Sequence, residues 1–379
     1  MVDFDEVVVM REKFLRELNI AIDKVIKEKE SMALDYDLME KALGSMVKNI
    51  KSIDKKLIEP ITPIKKEEIL KVTLDFFKSV DSELHKKSID TILQQNDNIK
   101  MNIYNRHVIK NFEKRDESGI PEYTVGANVH SRNGHATVHI PTKREVWPKE
   151  EKLLNKDEGT LFDLYTIVHE ISHLFDLDLE FGKPDKEELE GGEEKRKTRI
   201  TREIFGEATA IAFESMLSEY LLANGIYSKE TIKDMEISNI NSYLNDARLA
   251  YAKLVLAREK TENGEITLEF VENFMREQGF SVQYIRRMAN KIINDPRDML
   301  FEKKYALGGL IAPTIIKKYK KEGVGTLKRY LEEAKKENFA GVMAVLGIEL
   351  NEQGINQLVV NMKERIRCKR KRKINIIES

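Results

Sequence analysis

The sequence is poor in cysteine, glycine and proline. Its 379 residues include one cysteine, 19 glycines and 8 prolines. A single cysteine, Cys368, excludes an intramolecular disulfide and a cysteine-based zinc site, and it fits a reducing compartment. Scarce glycine and proline, together with abundant leucine, isoleucine, lysine and glutamate, favour long helices over a many-stranded sandwich. We therefore predict a mainly α-helical chain.

The sequence also lacks an excess of either charge and any long apolar run. It has 64 basic and 65 acidic side chains. A nucleic-acid-binding protein needs a positive field to displace counterions from phosphate, so nucleic acid is not expected as a partner of the whole chain. No run approaches the roughly 20 apolar residues that span a bilayer, and the N-terminal segment has acids where a secretory signal has bases. We expect a cytoplasmic protein without membrane association.

Apolar residues at three- and four-residue spacing predict helices over most of the chain. A proline-containing break near residue 60 and a basic C-terminal run divide it into three expected parts. These are an N-terminal helical arm (1–59), a body (60–366) and a basic tail (367–379). The run KERIRCKRKRK could contact nucleic acid or anionic lipid, although terminal charge runs are more often solvated ends.

The one convincing strand signal lies between residues 123 and 141. Alternating segments flank Asn133-Gly134, and Asn-Gly is typical of a type I′ hairpin turn, in which both central residues need positive φ. A period of two then places three histidines, His130, His135 and His139, on one face of the hairpin. They are either exposed surface residues or part of a functional site.

A candidate metal site lies in the segment GTLFDLYTIVHEISHLFDL. Thr160 is predicted to be the helix N-cap, with Asp163 three residues later. His169-Glu170-Ile171-Ser172-His173 is an HExxH motif. Residues four apart share a helical face, so both imidazoles can reach one Zn²⁺ while Glu170 holds a water. The competing interpretation is a partly buried helix with two histidines and a surface acid.

A catalytic zinc normally takes three protein ligands. No histidine follows His173, so a downstream third ligand must be a carboxylate. The next predicted helix, about residues 202–223 after a solvated loop (182–197), offers four glutamates, Glu203, Glu207, Glu214 and Glu219. Glu207 lies in the apolar run FGEATAIAF, where an unpaired carboxylate is costly to bury. We predict Glu207 as the third ligand, and Glu214 either as the residue that orients a ligating imidazole or as an ordinary surface acid.

These segments resemble the thimet oligopeptidase and oligoendopeptidase F metallopeptidases. GTLFDLYTIVHEISHLFDL is similar to the family's GTLxDxxTLxHExGHxxH segment, and IFGEATAIAFESMLSEYLL is similar to its FxAEIASTxNExLLxxYLL helix. KKYALGG is similar to YxYATG, and the whole resemblance covers about residues 67–366. It implies a helical, prolate fold with a small β-hairpin or sheet beside the site, and a channel in which short peptides are hydrolysed.

The resemblance implies that His169, His173 and Glu207 bind zinc and that Glu170 is the general base. The chain departs from the family pattern at Ser172, where the family has glycine, and in the region NDPRDMLFEKKYALGG. That region lacks the family's oxyanion-stabilising histidine and retains only Tyr305 of its tyrosine cluster.

Two consequences for function follow from these departures. His130 or His139, on the strand that in the family would pair with the substrate, could replace the missing oxyanion donor and bind substrate. Alternatively, the chain is a zinc-containing relative that binds peptides or a protein partner with little turnover. The same ligands would also accept Mn²⁺ or Co²⁺.

Overall fold

The computed structural model describes residues 4–30, 36–50, 64–92, 99–104, 128–132, 135–141, 158–175, 193–294, 302–336 and 338–371. This part of the chain is mainly helical, as the composition predicts. The helices are α1 (Phe4–Glu30), α2 (Tyr36–Asn49), α3 (Lys66–Val80), α4 (Ser82–Ile92), α5 (Leu161–Ser172), α6 (Glu193–Ala223), α7 (Lys229–Asn263), α8 (Leu268–Gln278), α9 (Val282–Asn294), α10 (Glu302–Glu322), α11 (Val324–Lys335), α12 (Phe339–Leu346) and α13 (Glu352–Lys371). The strands are β1 (Ile64–Lys65), β2 (Ile99–Tyr104), β3 (Asn128–Arg132), β4 (His135–Pro141) and β5 (Glu158–Gly159). None of the helices described here is long and apolar enough to cross a membrane.

Helix α6 lies at the centre of the molecule. It packs against α5, α7, α10 and α11, and every residue from Ile204 to Phe213 is buried. A helix that is enclosed on all sides is apolar all round, which explains the run IFGEATAIAF. Burial of this run brings Glu207 into the interior.

The start of α6 differs from the prediction. The segment 182–197 was expected to be a solvated loop, but α6 already begins at Glu193. The first residues of the helix, EEKRK, are charged, but they are also good helix formers. Their charge was therefore not sufficient evidence for a loop. The predicted end is confirmed, because α6 stops at Ala223 and Gly225 has a φ of 63°.

The first two helices pack on the body. Helix α1 contacts α7 and α9, and α2 contacts α7 and α13. Buried side chains of both helices belong to the same hydrophobic cluster as those of α6. Residues 51–63 lie outside the described part, so a boundary near residue 60 stays a prediction.

Strands β3 and β4 form the predicted antiparallel hairpin. Arg132 pairs with His135, and Asn133-Gly134, between them, lies outside the described residues. The register puts His130 opposite Thr137 and His139 opposite Asn128, and the direction of the histidine side chains stays a prediction. Strand β2 was not predicted, and it pairs with β4 in parallel, which makes β4 the central strand. Its sequence, IKMNIY, alternates over only six residues.

Glycines end or separate several helices later in the chain. Gly264, Gly279 and Gly323 all have positive φ at the ends of helices or between them. The basic run begins within α13, where Lys363 bonds to Asn49.

Candidate metal centre

Helix α5 carries the HExxH motif and has the predicted N-terminal cap. Oγ1 of Thr160 accepts a hydrogen bond from N–H of Asp163 at 3.4 Å, and Oδ2 of Asp163 accepts one from N–H of Thr160 at 2.6 Å. This capping box fixes where the helix begins. Leu161, Leu164 and Val168 are buried. With this apolar side of α5 packed in the core, the helix is anchored beside α6.

The second histidine lies just beyond the helix. Helix α5 ends at Ser172, whereas the whole motif was predicted to be helical. His173 keeps helical dihedrals (φ −61°, ψ −20°), so it stays on the face of His169, and the two ring centroids are 4.8 Å apart. Ser172 is buried and donates to the carbonyl of Val168 at 2.6 Å. The serine hydroxyl is therefore accommodated by the preceding helical turn.

Three potential ligands converge between α5 and α6. Donor atoms of His169, His173 and Glu207 all lie within 4.8 Å of one another. Oε2 of Glu207 is 3.4 Å from Nε2 of His169 and is buried without a hydrogen-bond partner among the described residues. A tetrahedral zinc with bonds of about 2.1 Å separates its ligand atoms by about 3.4 Å. The donor types and the unsatisfied oxygen therefore fit a zinc ion.

Glu214 contacts the other side of the His169 ring. Its Oε1 lies 2.7 Å from Nδ1 of His169. Its Oε2 accepts hydrogen bonds from Asn239 and from the hydroxyl of Tyr243, each at 2.9 Å. The carboxylate can accept a hydrogen bond from Nδ1–H of His169. Nε2 is then the nitrogen that is available to a metal ion. Asn239 and Tyr243 were not predicted, because the sequence of α7 shows no motif around them.

Lys304 is a further charged residue of this site, and it was not predicted from the sequence. Its Nζ lies 3.1 Å from Oε1 of Glu207, and the two side chains are 17% and 6% exposed. It also lies 4.7 Å from the ring centroid of Tyr305. Its position directly before Tyr305, in the segment KKYALGG, is the signal that could have identified it.

Burial and charge give the site distinct protonation preferences. Burial lowers the pKa of His173 to about 3, helped by the charge of His169, so His173 is neutral. Burial opposes ionisation of Glu207, but contacts with His169 and Lys304 outweigh it and lower the pKa to about 2. Burial also opposes charge on His169, yet Glu207 and Glu214 raise its pKa well above the usual value.

Glu170, the acid of the HExxH motif, has a raised pKa. Burial raises its pKa to about 7, and the negative charge of Glu207 adds to this effect while His169 and Lys304 oppose it. A divalent cation nearby would lower the pKa of every group in the cluster, because it disfavours the more positive form. Glu170 is thus a buried carboxyl group beside the metal-ligating candidates.

The other residues predicted for the site lie on α6, α10, β3 and β4. Tyr305 is on α10, and burial, with the negative charges of Glu207 and Glu170, raises its pKa. Glu219 pairs with Lys320 and is not part of the cluster. The backbones of His130 and His139 are in β3 and β4, and β4 packs against α5. Their side chains lie outside the described residues.

Comparison with solved structures shows where this fold has been seen before. No family model matches the chain, and no curated protein matches its sequence. A crystal structure described as a presumed peptidase from Chlamydophila abortus is similar at 14% identity with a TM-score of 0.51, over 92% of this chain and 55% of the other. Another, described as a presumed oligoendopeptidase F from Bacillus anthracis str. Ames, matches at 12% identity with a TM-score of 0.47, over 93% and 56%. This chain thus spans about half the length of the matched structures, and it shares the fold of the Chlamydophila abortus structure.

Proposed function

We propose that this chain is a zinc-dependent peptidase that hydrolyses short peptides. The observation that carries the proposal is the convergence of His169, His173 and Glu207, with Glu170 buried beside them. An HExxH helix with a downstream glutamate is an arrangement suited to metal-assisted hydrolysis. The shared fold with a structure described as a presumed peptidase supports it.

Each residue has a defined task in the proposed reaction. His169, His173 and Glu207 would hold the zinc ion, which would supply Lewis-acid polarisation of the scissile carbonyl and a lower pKa for the attacking water. Glu170 accepts the proton of that water and passes it to the leaving nitrogen. Glu214 holds the ring of His169 in the orientation that presents Nε2. The hydroxyl of Tyr305 donates a hydrogen bond to the developing oxyanion, and its raised pKa keeps that hydroxyl protonated.

The proposal is tested by metal analysis of the purified protein together with a quenched-fluorescent peptide library, with and without a chelator. Stoichiometric zinc and chelator-sensitive cleavage are the expected results. Zinc without cleavage would instead indicate a peptide- or partner-binding relative, an outcome consistent with the missing oxyanion histidine. Absence of zinc would contradict the proposal outright.

Replacement of Glu214 should weaken zinc binding. Glu214→Ala removes the acceptor that orients His169 and leaves Asn239 and Tyr243 without their shared partner. Loss of such an outer contact typically costs about 10- to 100-fold in metal affinity. Competition with a chromophoric chelator measures the change. Glu262→Ala, at an exposed position on α7, is the control and should bind zinc like the wild type.

The histidines of the hairpin provide a separate test of oxyanion stabilisation. Loss of one such donor typically lowers kcat by about 10²- to 10³-fold. If His130 or His139 performs this role, the corresponding alanine variant should show that loss while retaining zinc. If both variants keep kcat/KM within about threefold of the wild type, the histidines are ordinary hairpin residues and Tyr305 remains the candidate donor.

A further inference from the structure

The two oxygens of Glu207 have different surroundings. Oε1 is 3.1 Å from Nζ of Lys304. Oε2 faces Nε2 of His169 at 3.4 Å and has no hydrogen-bond partner within the described part of the chain. The side chain of Glu207 is only 6% exposed, so water does not compensate for a missing partner on Oε1. The lysine therefore distinguishes one carboxylate oxygen from the other.

Helix packing holds the lysine and the carboxylate in this relation. Lys304 comes from α10, and Gly308, one turn later, lies directly against the backbone of Glu207 and Ala208. A Cβ atom at Gly308 would be 2.9 Å from Cβ of Glu207. This close contact fixes the separation of the α10 and α6 backbones, from which Lys304 and Glu207 extend. A partly buried ion pair of this kind restricts geometry more than it stabilises the fold.

We propose that Lys304 is a positioning residue that holds Oε1 of Glu207 and so leaves Oε2 as the single metal-ligating oxygen. The inference deepens the proposed function and rests on it, since it concerns the same metal centre. Lys304 acts through Glu207, and neither the HExxH motif nor the glutamate helix indicates it.

Repulsion by the charge of Lys304 and positioning of Glu207 by Lys304 have opposite effects on metal affinity. A positive charge near a cation site repels the cation, so loss of that charge would tighten zinc binding if repulsion dominated. Loss of the positioning contact would weaken zinc binding, because the Glu207 carboxylate would rotate away from its present contact with His169. The sign of the change in zinc affinity therefore separates the two effects.

The test compares Lys304→Met and Lys304→Arg with the wild type. Methionine keeps an unbranched apolar side chain without the ammonium group, and arginine restores a cationic donor. Lys321→Met, at an exposed position on the same helix, is the matched control. Zinc affinity is measured by chelator competition, the absorption spectrum of the Co²⁺-substituted proteins reports coordination, and circular dichroism verifies folding.

We expect Lys304→Met to bind zinc about tenfold or more weakly, with an altered Co²⁺ spectrum, while Lys304→Arg and Lys321→Met stay close to the wild type. Unchanged or tighter zinc binding in Lys304→Met would overturn the inference, as would a loss that arginine does not restore. These failures differ from failure of the proposed function, in which the wild-type protein itself binds no zinc.

Discussion

Glu170→Gln is expected to retain zinc and to lose peptide hydrolysis, with kcat lower by about 10²- to 10⁴-fold. Glutamine has nearly the same shape as glutamate, but its amide cannot accept the proton of the attacking water. The side chain is buried on α5 and is not one of the three proposed ligands, so the metal centre should remain intact. Zinc content and kcat are measured on the same purified sample.

A matched control separates the base from a general loss of negative charge. Glu262→Gln removes one carboxylate at an exposed position on α7 and should leave both zinc content and kcat unchanged. A Glu170→Gln protein that binds zinc and cleaves peptides at the wild-type rate would refute the proposed mechanism. Loss of zinc from that variant would place Glu170 among the groups that hold the metal.

Gly308→Ala is expected to destabilise the protein and to disturb the metal centre. An added Cβ would approach the amide nitrogen of Ala208 and Cβ of Glu207, both to 2.9 Å. The first of these is backbone and cannot move aside like a flexible side chain, so α10 and α6 must separate. Overpacking of this kind typically costs about 1–3 kcal/mol. Urea denaturation measures the stability, and chelator competition measures the expected loss of zinc affinity.

The same substitution should have the opposite effect at a different glycine. Gly325 lies in α11, its Cβ would meet no atom within 4 Å, and its φ is not positive. Gly325→Ala should therefore stabilise the chain by about 0.4–1 kcal/mol, because alanine restricts the unfolded state. If both alanine variants shifted the free energy of unfolding in the same direction, close helix contact would not explain the effect of Gly308→Ala.

Local patterns predicted much of this protein. The helical class followed from composition, and the capping box of Thr160 and Asp163 followed from the spacing of a hydroxyl and an acid before an apolar stripe. The hairpin followed from Asn-Gly between alternating segments. Such features depend on residues a few positions apart, which is why a sequence can specify them. The parallel strand β2 was missed because its partner β4 is more than thirty residues away along the chain.

The candidate metal centre likewise contains residues that sequence spacing identified and residues that only helix packing brought together. The repeat at positions 169 and 173, and an acid within an apolar helix at Glu207, already indicated a metal site from the sequence, because ligand type and helical spacing are local properties. Asn239 and Tyr243 gave no such signal, and Lys304 had only its position next to Tyr305. They reach the two glutamates from α7 and α10, and only the packing of those helices around α6 brings their polar atoms to 2.9–3.1 Å. Sequence spacing thus identified the candidate ligands, whereas tertiary packing determined which polar groups contact them.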